Sequence, residues 1–174
     1  MYYATKIFSF AMAHNLLEHK GLCKNFHGHN YKLHVTIKSN NLIDDNNNEQ
    51  YKSSNGMLMD FNDLKRIVER YIIGVYDHSM LIWDRSDDQY DNQLYKVLLE
   101  LSEEVPTDSY DINKESLKIW RVSYRPTAEN MCYHFYKILK DYIEQENSNP
   151  IDIKLHSIKI YETDTAYAEY IGDE

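Results

Sequence analysis

The sequence lacks a long hydrophobic run and an export signal, and each absence excludes a class of protein. No stretch of the 174 residues approaches the roughly 20 consecutive apolar residues that a membrane-spanning helix needs. Residues 1–10 show no charged region followed by a long apolar stretch, which a secretory signal would have. We therefore expect a soluble, intracellular protein located in the cytoplasm.

Basic residues are outnumbered by acidic ones, and cysteines are few. The chain has 19 Lys and Arg against 28 Asp and Glu, for a formal net charge of -9. Because nucleic acids and anionic membranes are bound by clustered Lys and Arg, we expect neither as a partner. The two cysteines are Cys23 and Cys132. A chain without an export signal rarely depends on one disulfide, so we expect two free thiols.

Alternation of apolar and polar residues predicts strands at both ends of the chain. The predicted strands are 3–13, 30–39, 153–161 and 165–171, with a tight turn at 162–164. Helical spacing predicts one helix from Asp60 or Asn62 to Gly74 and another from Thr127 to about residue 146. This order of elements predicts an α+β fold in which an antiparallel sheet carries its helices on one face.

Weaker patterns predict three shorter elements. These are an apolar strand at 56–61, a helix at 93–104 and a strand at 117–124. The stretch 40–55 is rich in Asn, Asp and Ser, which is typical of a long loop.

Three histidines near the start of the chain have the spacing of a catalytic metal site. Residues two apart in a strand point the same way, so His27 and His29 present both imidazoles on one face. His14, at the end of the preceding apolar run, supplies a third neutral nitrogen. Three such ligands leave one tetrahedral position open for water or substrate, which is the arrangement of catalytic zinc.

Cys23 lies four residues before His27, so a short loop can place its sulfur beside the metal. A nearby cation or metal lowers the pKa of a thiol and makes the thiolate a competent base. We favour a general base over two alternatives. These are a fourth ligand in a closed structural site and a small buried thiol that only packs.

Two further groups have side chains suited to chemistry. Asp77 and His78 follow the first predicted helix, where a carboxylate can orient an imidazole for proton transfer, although a solvated loop pair is the alternative. Glu162, in the predicted turn, can bind a planar guanidinium-like edge through two parallel hydrogen bonds. A turn carboxylate more often only faces solvent.

Six motifs occur in the order found in the 6-pyruvoyl-tetrahydropterin synthase family, and together the chain resembles this family over almost its whole length. They are FAMAH (10–14), CKNFHGHNY (23–31), GMLMDFNDLK (56–65), YDHSMLI (76–82), PTAEN (126–130) and YET (161–163). The three residues between the cysteine and HGH resemble the bacterial 6-carboxy-tetrahydropterin synthases, since animal pyruvoyl synthases have a longer spacer. Cys23 argues against the branch in which glutamate replaces this cysteine.

The resemblance implies the tunnelling fold, or T-fold. This is a four-stranded antiparallel sheet with two long helices on one face, in ββααββ order, here as a single domain over residues 1–174. Relative to short members of the family, we expect insertions near 40–55 and 85–118. T-fold subunits form trimers or dimers of trimers with sites at subunit interfaces, so the resemblance also implies a homo-oligomer.

The resemblance further implies the catalytic groups. His14, His27 and His29 would hold Zn²⁺. Cys23 would be the base, and the two residues that follow the first helix, Asp77 and His78, would complete its proton relay.

Substrate binding is implied for three other residues. Glu162 would anchor the aminopyrimidine edge of a pterin, and Thr127 and Glu129 would line the same pocket. Lys20 and Lys24 are nearby candidates for binding a triphosphate.

The implied function is a zinc-dependent 6-carboxy-5,6,7,8-tetrahydropterin synthase of queuosine (7-deazaguanine) biosynthesis. It would convert 7,8-dihydroneopterin triphosphate to 6-carboxytetrahydropterin, acetaldehyde and triphosphate. One alternative is a 6-pyruvoyl-tetrahydropterin synthase of tetrahydrobiopterin biosynthesis, which uses the same ligands and base. Others are a zinc- or pterin-binding module without turnover, with Cys23 as a fourth ligand, and a T-fold cyclohydrolase or aldolase acting on another purine or pterin.

Overall fold

The computed structural model describes residues 1–46, 48–85, 93–107, 110–111, 116–145 and 150–172. Within these ranges, seven strands form one sheet. In chain order they are β1 (Tyr2–His14), β2 (His27–Ser39), β3 (Ser79–Trp83), β4 (Glu103–Glu104), β5 (Ile119–Val122), β6 (Lys154–Thr163) and β7 (Ala166–Ile171). The sheet order is β4–β5–β3–β1–β2–β6–β7.

The helices are α1 (Phe61–Val68), α2 (Gly74–Tyr76), α3 (Gln93–Leu101) and α4 (Ala128–Gln145). A π-helical segment, Glu69–Ile73, joins α1 to α2. None of the helices in the described ranges is long and apolar enough to cross a membrane.

The four strands with alternating sequences form the antiparallel half of the sheet. β1 pairs with β2 from Tyr2 opposite Ser39 to His14 opposite His27, and β6 lies between β2 and β7. The turn between β6 and β7 follows Thr163, so Glu162 lies at the end of a strand and not in the turn predicted at 162–164.

The predicted count of four strands is wrong, because three parallel strands extend the sheet beyond β1. β3 runs parallel to β1, β5 to β3 and β4 to β5. β5 corresponds to the strand predicted at 117–124. β3 was not predicted at all, since its residues show no alternation.

The parallel strands are buried on both faces of the sheet. Leu81 and Trp120 pack on the face that carries α1 and α4, whereas Ile82 and Ile119 pack on the opposite face with Tyr95 of α3.

Two predicted boundaries near the first helix are also wrong. The strand predicted at 56–61 is absent from the described residues: 56–60 form a turn and bends, and α1 already begins at Phe61, although Leu58 and Met59 are buried. The side chain of Asp60 caps α1 by accepting a hydrogen bond from the Asn62 N–H, 2.7 Å away. Gly74 does not end the helix: its φ is -60°, an ordinary helical value, and helical structure continues to Tyr76.

The main core lies between the antiparallel strands and the α1 and α4 helices. Its fully buried side chains include Leu33 and Val35 of β2, Leu64 of α1 and Phe135 of α4.

Thr127 caps α4, as predicted, because its hydroxyl oxygen accepts from the Asn130 N–H at 3.4 Å. The end of this helix predicted near residue 146 lies outside the described residues. The single domain over 1–174, with insertions near 40–55 and 85–118, stays a prediction.

Candidate metal centre and surrounding groups

Strand pairing brings the three predicted metal ligands together. His14 and His27 are directly opposite each other in the β1–β2 register, and His29 follows on the same face of β2. The ring centroids are 4.6 Å apart for His14 and His27, 5.4 Å for His14 and His29, and 5.0 Å for His27 and His29. One nitrogen from each ring lies within 4.8 Å of the other two.

Gly28 allows the two strands to approach closely at this point. A Cβ atom added to it would lie 3.1 Å from the main-chain oxygen of Met12 on β1, which is a crowded distance. The glycine between the two histidines therefore helps β1 and β2 to stay paired up to the last residue of β1.

His14 is held in one orientation and one protonation state. Only 1% of its side chain is exposed, and its Nδ1 lies 2.7 Å from the carbonyl oxygen of Pro126. Because a carbonyl oxygen can only accept, Nδ1 carries the proton and Nε2 keeps its lone pair. Burial lowers the pKa of His14 to about 4, so the ring is neutral at physiological pH. The Tyr31 hydroxyl lies 3.2 Å from the same Nε2.

His27 is oriented in the same way. Its Nδ1 donates to the carbonyl oxygen of Asn25 at 2.8 Å, which leaves Nε2 as the free ligand atom. A tetrahedral zinc ion with Zn–N bonds of about 2.0–2.1 Å would need nitrogen atoms roughly 3.4 Å apart. The ligand nitrogens of the three rings lie within 4.8 Å of one another, so an ion would bring them closer together by no more than about 1.4 Å. The donor set of three neutral imidazoles therefore fits Zn²⁺.

Glu162 lies on the same face as the histidines. Ile158 and Ile160 are buried on that face of β6, and Glu162 continues their alternation. Its Oε1 is 3.9 Å from Nε2 of His14, and 28% of its side chain is exposed. The site therefore has a carboxylate that is partly shielded from water and lies beside the three imidazoles.

Cys23 lies in the loop that joins β1 to β2. It is half-buried in a short 3-10 turn, Leu22–Lys24, and its carbonyl oxygen accepts from the Leu16 N–H at 2.8 Å. Among the described residues, the donor atoms within 4.8 Å of one another belong to the three histidines, and the thiol is not one of them. This arrangement does not favour Cys23 as a fourth ligand.

Asp77 and His78 lie in close side-chain contact directly after α2. One Asp77 oxygen accepts from the Ala11 N–H at 2.8 Å, and the other lies 2.9 Å from Nδ1 of His78. The His78 side chain is 81% exposed, and it lines a shallow groove of about 400 Å³ together with His29 and Gly28. His78 and His29, one of the three candidate ligands, therefore line the same groove within one chain.

The two remaining predicted residues have different surroundings. Thr127 follows Pro126, whose carbonyl oxygen orients His14, so Thr127 lies close to the centre along the chain. Glu129 is exposed on the first turn of α4, and its charge acts on Cys132. Thr127 is thus related to the three histidines only through its chain neighbour Pro126, and Glu129 is related to Cys132.

Three groups that shape the centre were not predicted. The carbonyl oxygens of Asn25 and Pro126 orient His27 and His14, and the Tyr31 hydroxyl contacts Nε2 of His14. A carbonyl oxygen of the main chain is present in every residue, so no residue type in the sequence marks the two that accept these hydrogen bonds. Tyr31 could have been found, because it is two residues after His29 and therefore on the same face of β2.

Comparison with known proteins identifies the family. The family model described as 6-pyruvoyl tetrahydropterin synthase matches residues 3–173, so the chain belongs to this family. The resemblance drawn from the six motifs is thereby confirmed. The 6-carboxy-5,6,7,8-tetrahydropterin synthase of Haemophilus influenzae is 33% identical over 172 residues, which cover 98% of this chain and 99% of that protein. The protein of the same name from Aquifex aeolicus is 30% identical over 148 residues, covering 85% of this chain and 75% of that protein.

Solved structures show the same fold. The 6-pyruvoyl tetrahydropterin synthase of Caenorhabditis elegans superposes with a TM-score of 0.57 at 22% identity, covering 99% of this chain and 96% of that chain. An uncharacterized protein of Wolinella succinogenes gives a TM-score of 0.67 at 21% identity, covering 99% and 98%. These likenesses confirm the predicted α+β T-fold, with a sheet that is larger than predicted.

Replacing one of the three histidines tests the metal centre. We expect His29→Ala to weaken zinc binding by more than about 100-fold, since loss of an outer-shell partner alone costs about 10- to 100-fold. His34→Ala is the matched control, because His34 is on the same strand but on the opposite face. Competition with a chromophoric chelator gives both affinities. Equal affinities for the two variants would exclude His29 as a ligand.

Proposed function

We propose that this chain is a zinc-dependent 6-carboxy-5,6,7,8-tetrahydropterin synthase. It would convert 7,8-dihydroneopterin triphosphate to 6-carboxytetrahydropterin, acetaldehyde and triphosphate, in queuosine biosynthesis. The observation that carries the proposal is the convergence of three imidazoles with the Glu162 carboxylate, 3.9 Å from the nearest ring nitrogen. The 33% identity to the Haemophilus influenzae protein of that name, over nearly the full length of both chains, supports it.

In this proposal His14, His27 and His29 hold the zinc ion through neutral nitrogens. When bound, zinc supplies Lewis-acid polarisation, which lowers the pKa of hydroxyl groups and adjacent carbon-bound protons. The chain fixes the ligand atoms beforehand, since main-chain carbonyl oxygens occupy Nδ1 of both His14 and His27. Little orientational entropy is then lost when the ion binds.

Glu162 would orient the substrate. An aminopyrimidine ring presents two N–H groups along one edge, and a carboxylate accepts both in a planar, bidentate arrangement. Because Glu162 lies beside His14, a pterin bound to it would place its side chain close to the metal ligands. Partial burial reduces competition from water for these hydrogen bonds.

Cys23 and the Asp77–His78 pair would move protons. Cys23 would remove a proton from the side chain of the substrate. Asp77 occupies Nδ1 of His78 and leaves Nε2 free to accept or donate a proton. The exposed imidazole can therefore exchange protons with a group that approaches from outside this subunit.

We further propose a homo-oligomer, a trimer or a dimer of trimers, with sites at subunit interfaces. The face of β1 away from α1 and α4 exposes 56% of Tyr3 and 57% of Ile7, and the edge strand β7 exposes 56% of both Tyr167 and Ile171. Exposed apolar side chains on a sheet face, and others on a strand at the edge of the sheet, favour association. Sedimentation at three or six times 20.8 kDa is the expected result, and a monomer would contradict the proposal.

A cytoplasmic location belongs to the same proposal. Both Cys23 and Cys132 are free thiols, as expected for a reducing compartment.

The product identifies the reaction. Zinc-loaded protein is incubated with 7,8-dihydroneopterin triphosphate, the pterin is analysed by mass spectrometry, and acetaldehyde is trapped. A 6-carboxy pterin with acetaldehyde is the expected result. A 6-pyruvoyl pterin without acetaldehyde would instead assign the chain to tetrahydrobiopterin biosynthesis. Unchanged substrate would support a binding module without turnover.

Glu162→Gln tests the pterin anchor. We expect the dissociation constant of a non-reacting pterin to rise roughly 10- to 150-fold, because a hydrogen bond to a charged group contributes about 1.5–3 kcal/mol. Asp164→Asn is the control, since Asp164 is two residues away and 85% exposed. Fluorescence titration measures both constants. Unchanged affinity in Glu162→Gln would remove this residue from the binding site.

The variant Cys23→Ala distinguishes a thiol that acts as general base from a thiol that binds the metal. We expect zinc content to stay close to that of the unaltered protein and turnover to be lost, because the three imidazoles alone form the ligand set. Cys132→Ala, at the buried thiol of α4, should retain turnover. Metal analysis and product formation are measured on the same samples. Zinc affinity reduced by orders of magnitude in Cys23→Ala would make the thiol a ligand.

A further inference from the structure

Side chains from neighbouring strands bind the carbonyl oxygens at the end of α2. The last carbonyl groups of a helix have no partner within the helix. Here Trp120 Nε1 donates to the oxygen of Val75 at 2.9 Å, and Ser79 Oγ donates to that of Tyr76 at 2.7 Å. Hydrogen bonds therefore connect the end of the helix to β5 and β3.

Lys118, directly before β5, makes two such bonds with one ammonium group. Its Nζ lies 2.9 Å from the carbonyl oxygen of Gly74 and 2.9 Å from that of Asp77. One oxygen belongs to the first residue of α2 and the other to the residue directly after it. The ammonium group therefore connects the helix to the segment that follows it. A cation at a helix C-terminus also interacts favourably with the helix dipole. The ring of Tyr110 covers the same ammonium group, 4.7 Å from the ring centroid.

The chain needs this support because it turns sharply immediately afterwards. His78 has a φ of 58°, in the left-handed region that is unfavourable for a residue with a side chain. Its N–H donates to the Ala11 carbonyl oxygen at 2.7 Å, while the Ala11 N–H donates to the Asp77 carboxylate. Asp77 is thus fixed on one side by β1 and on the other by Lys118.

We propose that Lys118 is a positioning residue for the Asp77–His78 pair. It acts on the Asp77 main chain and sets the direction in which the carboxylate holds the His78 imidazole. This role rests on the proposed function, because the pair is taken as the proton relay of that reaction.

Kinetics of Lys118 variants test the role. In Lys118→Met, which keeps the length of the side chain but not its donors, we expect kcat to fall about 10- to 100-fold, as for other small displacements of reacting groups. KM and zinc content should stay unchanged, because the hydrogen bonds of Lys118 involve neither the three candidate zinc ligands nor Glu162. Lys118→Arg, which retains donors, should restore most of kcat. Lys140→Met, at an exposed lysine of α4, is the matched control.

A second measurement does not need turnover. In ¹⁵N spectra of histidine-labelled protein, His78 should show a protonated Nδ1 bonded to Asp77, and Lys118→Met should shift this signal while Lys140→Met leaves it unchanged. An unchanged His78 signal, or unchanged kcat, in Lys118→Met would overturn the positioning role. If the unaltered protein forms no pterin product, the proposed function fails, and the spectra alone then decide whether Lys118 orients His78.

Discussion

The register between β1 and β2 is the constraint on which the candidate site depends. It places His14 opposite His27, and the alternation of β2 adds His29 on the same face. A slip of one residue would move both β2 histidines to the other face of the sheet. The same slip would expose Leu33 and Val35, which are fully buried. The hydrophobic core that stabilises the fold therefore also fixes the geometry of the candidate metal centre.

β1 connects this centre to the other chemical groups. Its last residue is a metal-ligand candidate, and the main chain of Ala11, three residues earlier, binds both Asp77 and His78. The parallel strands that extend the sheet beyond β1 hold the end of α2, from which this pair emerges. The antiparallel half of the sheet thus positions the histidines and Glu162, and the parallel half positions the Asp77–His78 pair.

Sequence patterns predicted the elements that have one face turned toward the core. β1, β2, β6, β7 and α4 each alternate or repeat with the period of their secondary structure, and their positions were found to within a few residues. β3 was missed because it is buried on both faces and has no alternation. The π-helical segment before Gly74 was missed because side-chain periodicity does not report such a change in hydrogen bonding. The histidine spacing predicted the cluster, whereas its orientation by the Pro126 carbonyl oxygen depends on a contact between residues 112 positions apart.

X-ray absorption at the zinc edge of the loaded protein tests the central claim most directly, because it reports the atoms bound to the ion. The three-histidine centre predicts three nitrogen scatterers at about 2.0–2.1 Å, with the remaining position filled by oxygen, and no sulfur. A sulfur scatterer at about 2.3 Å would show Cys23 or Cys132 bound to the metal. That result would contradict the open catalytic centre and support a closed structural one.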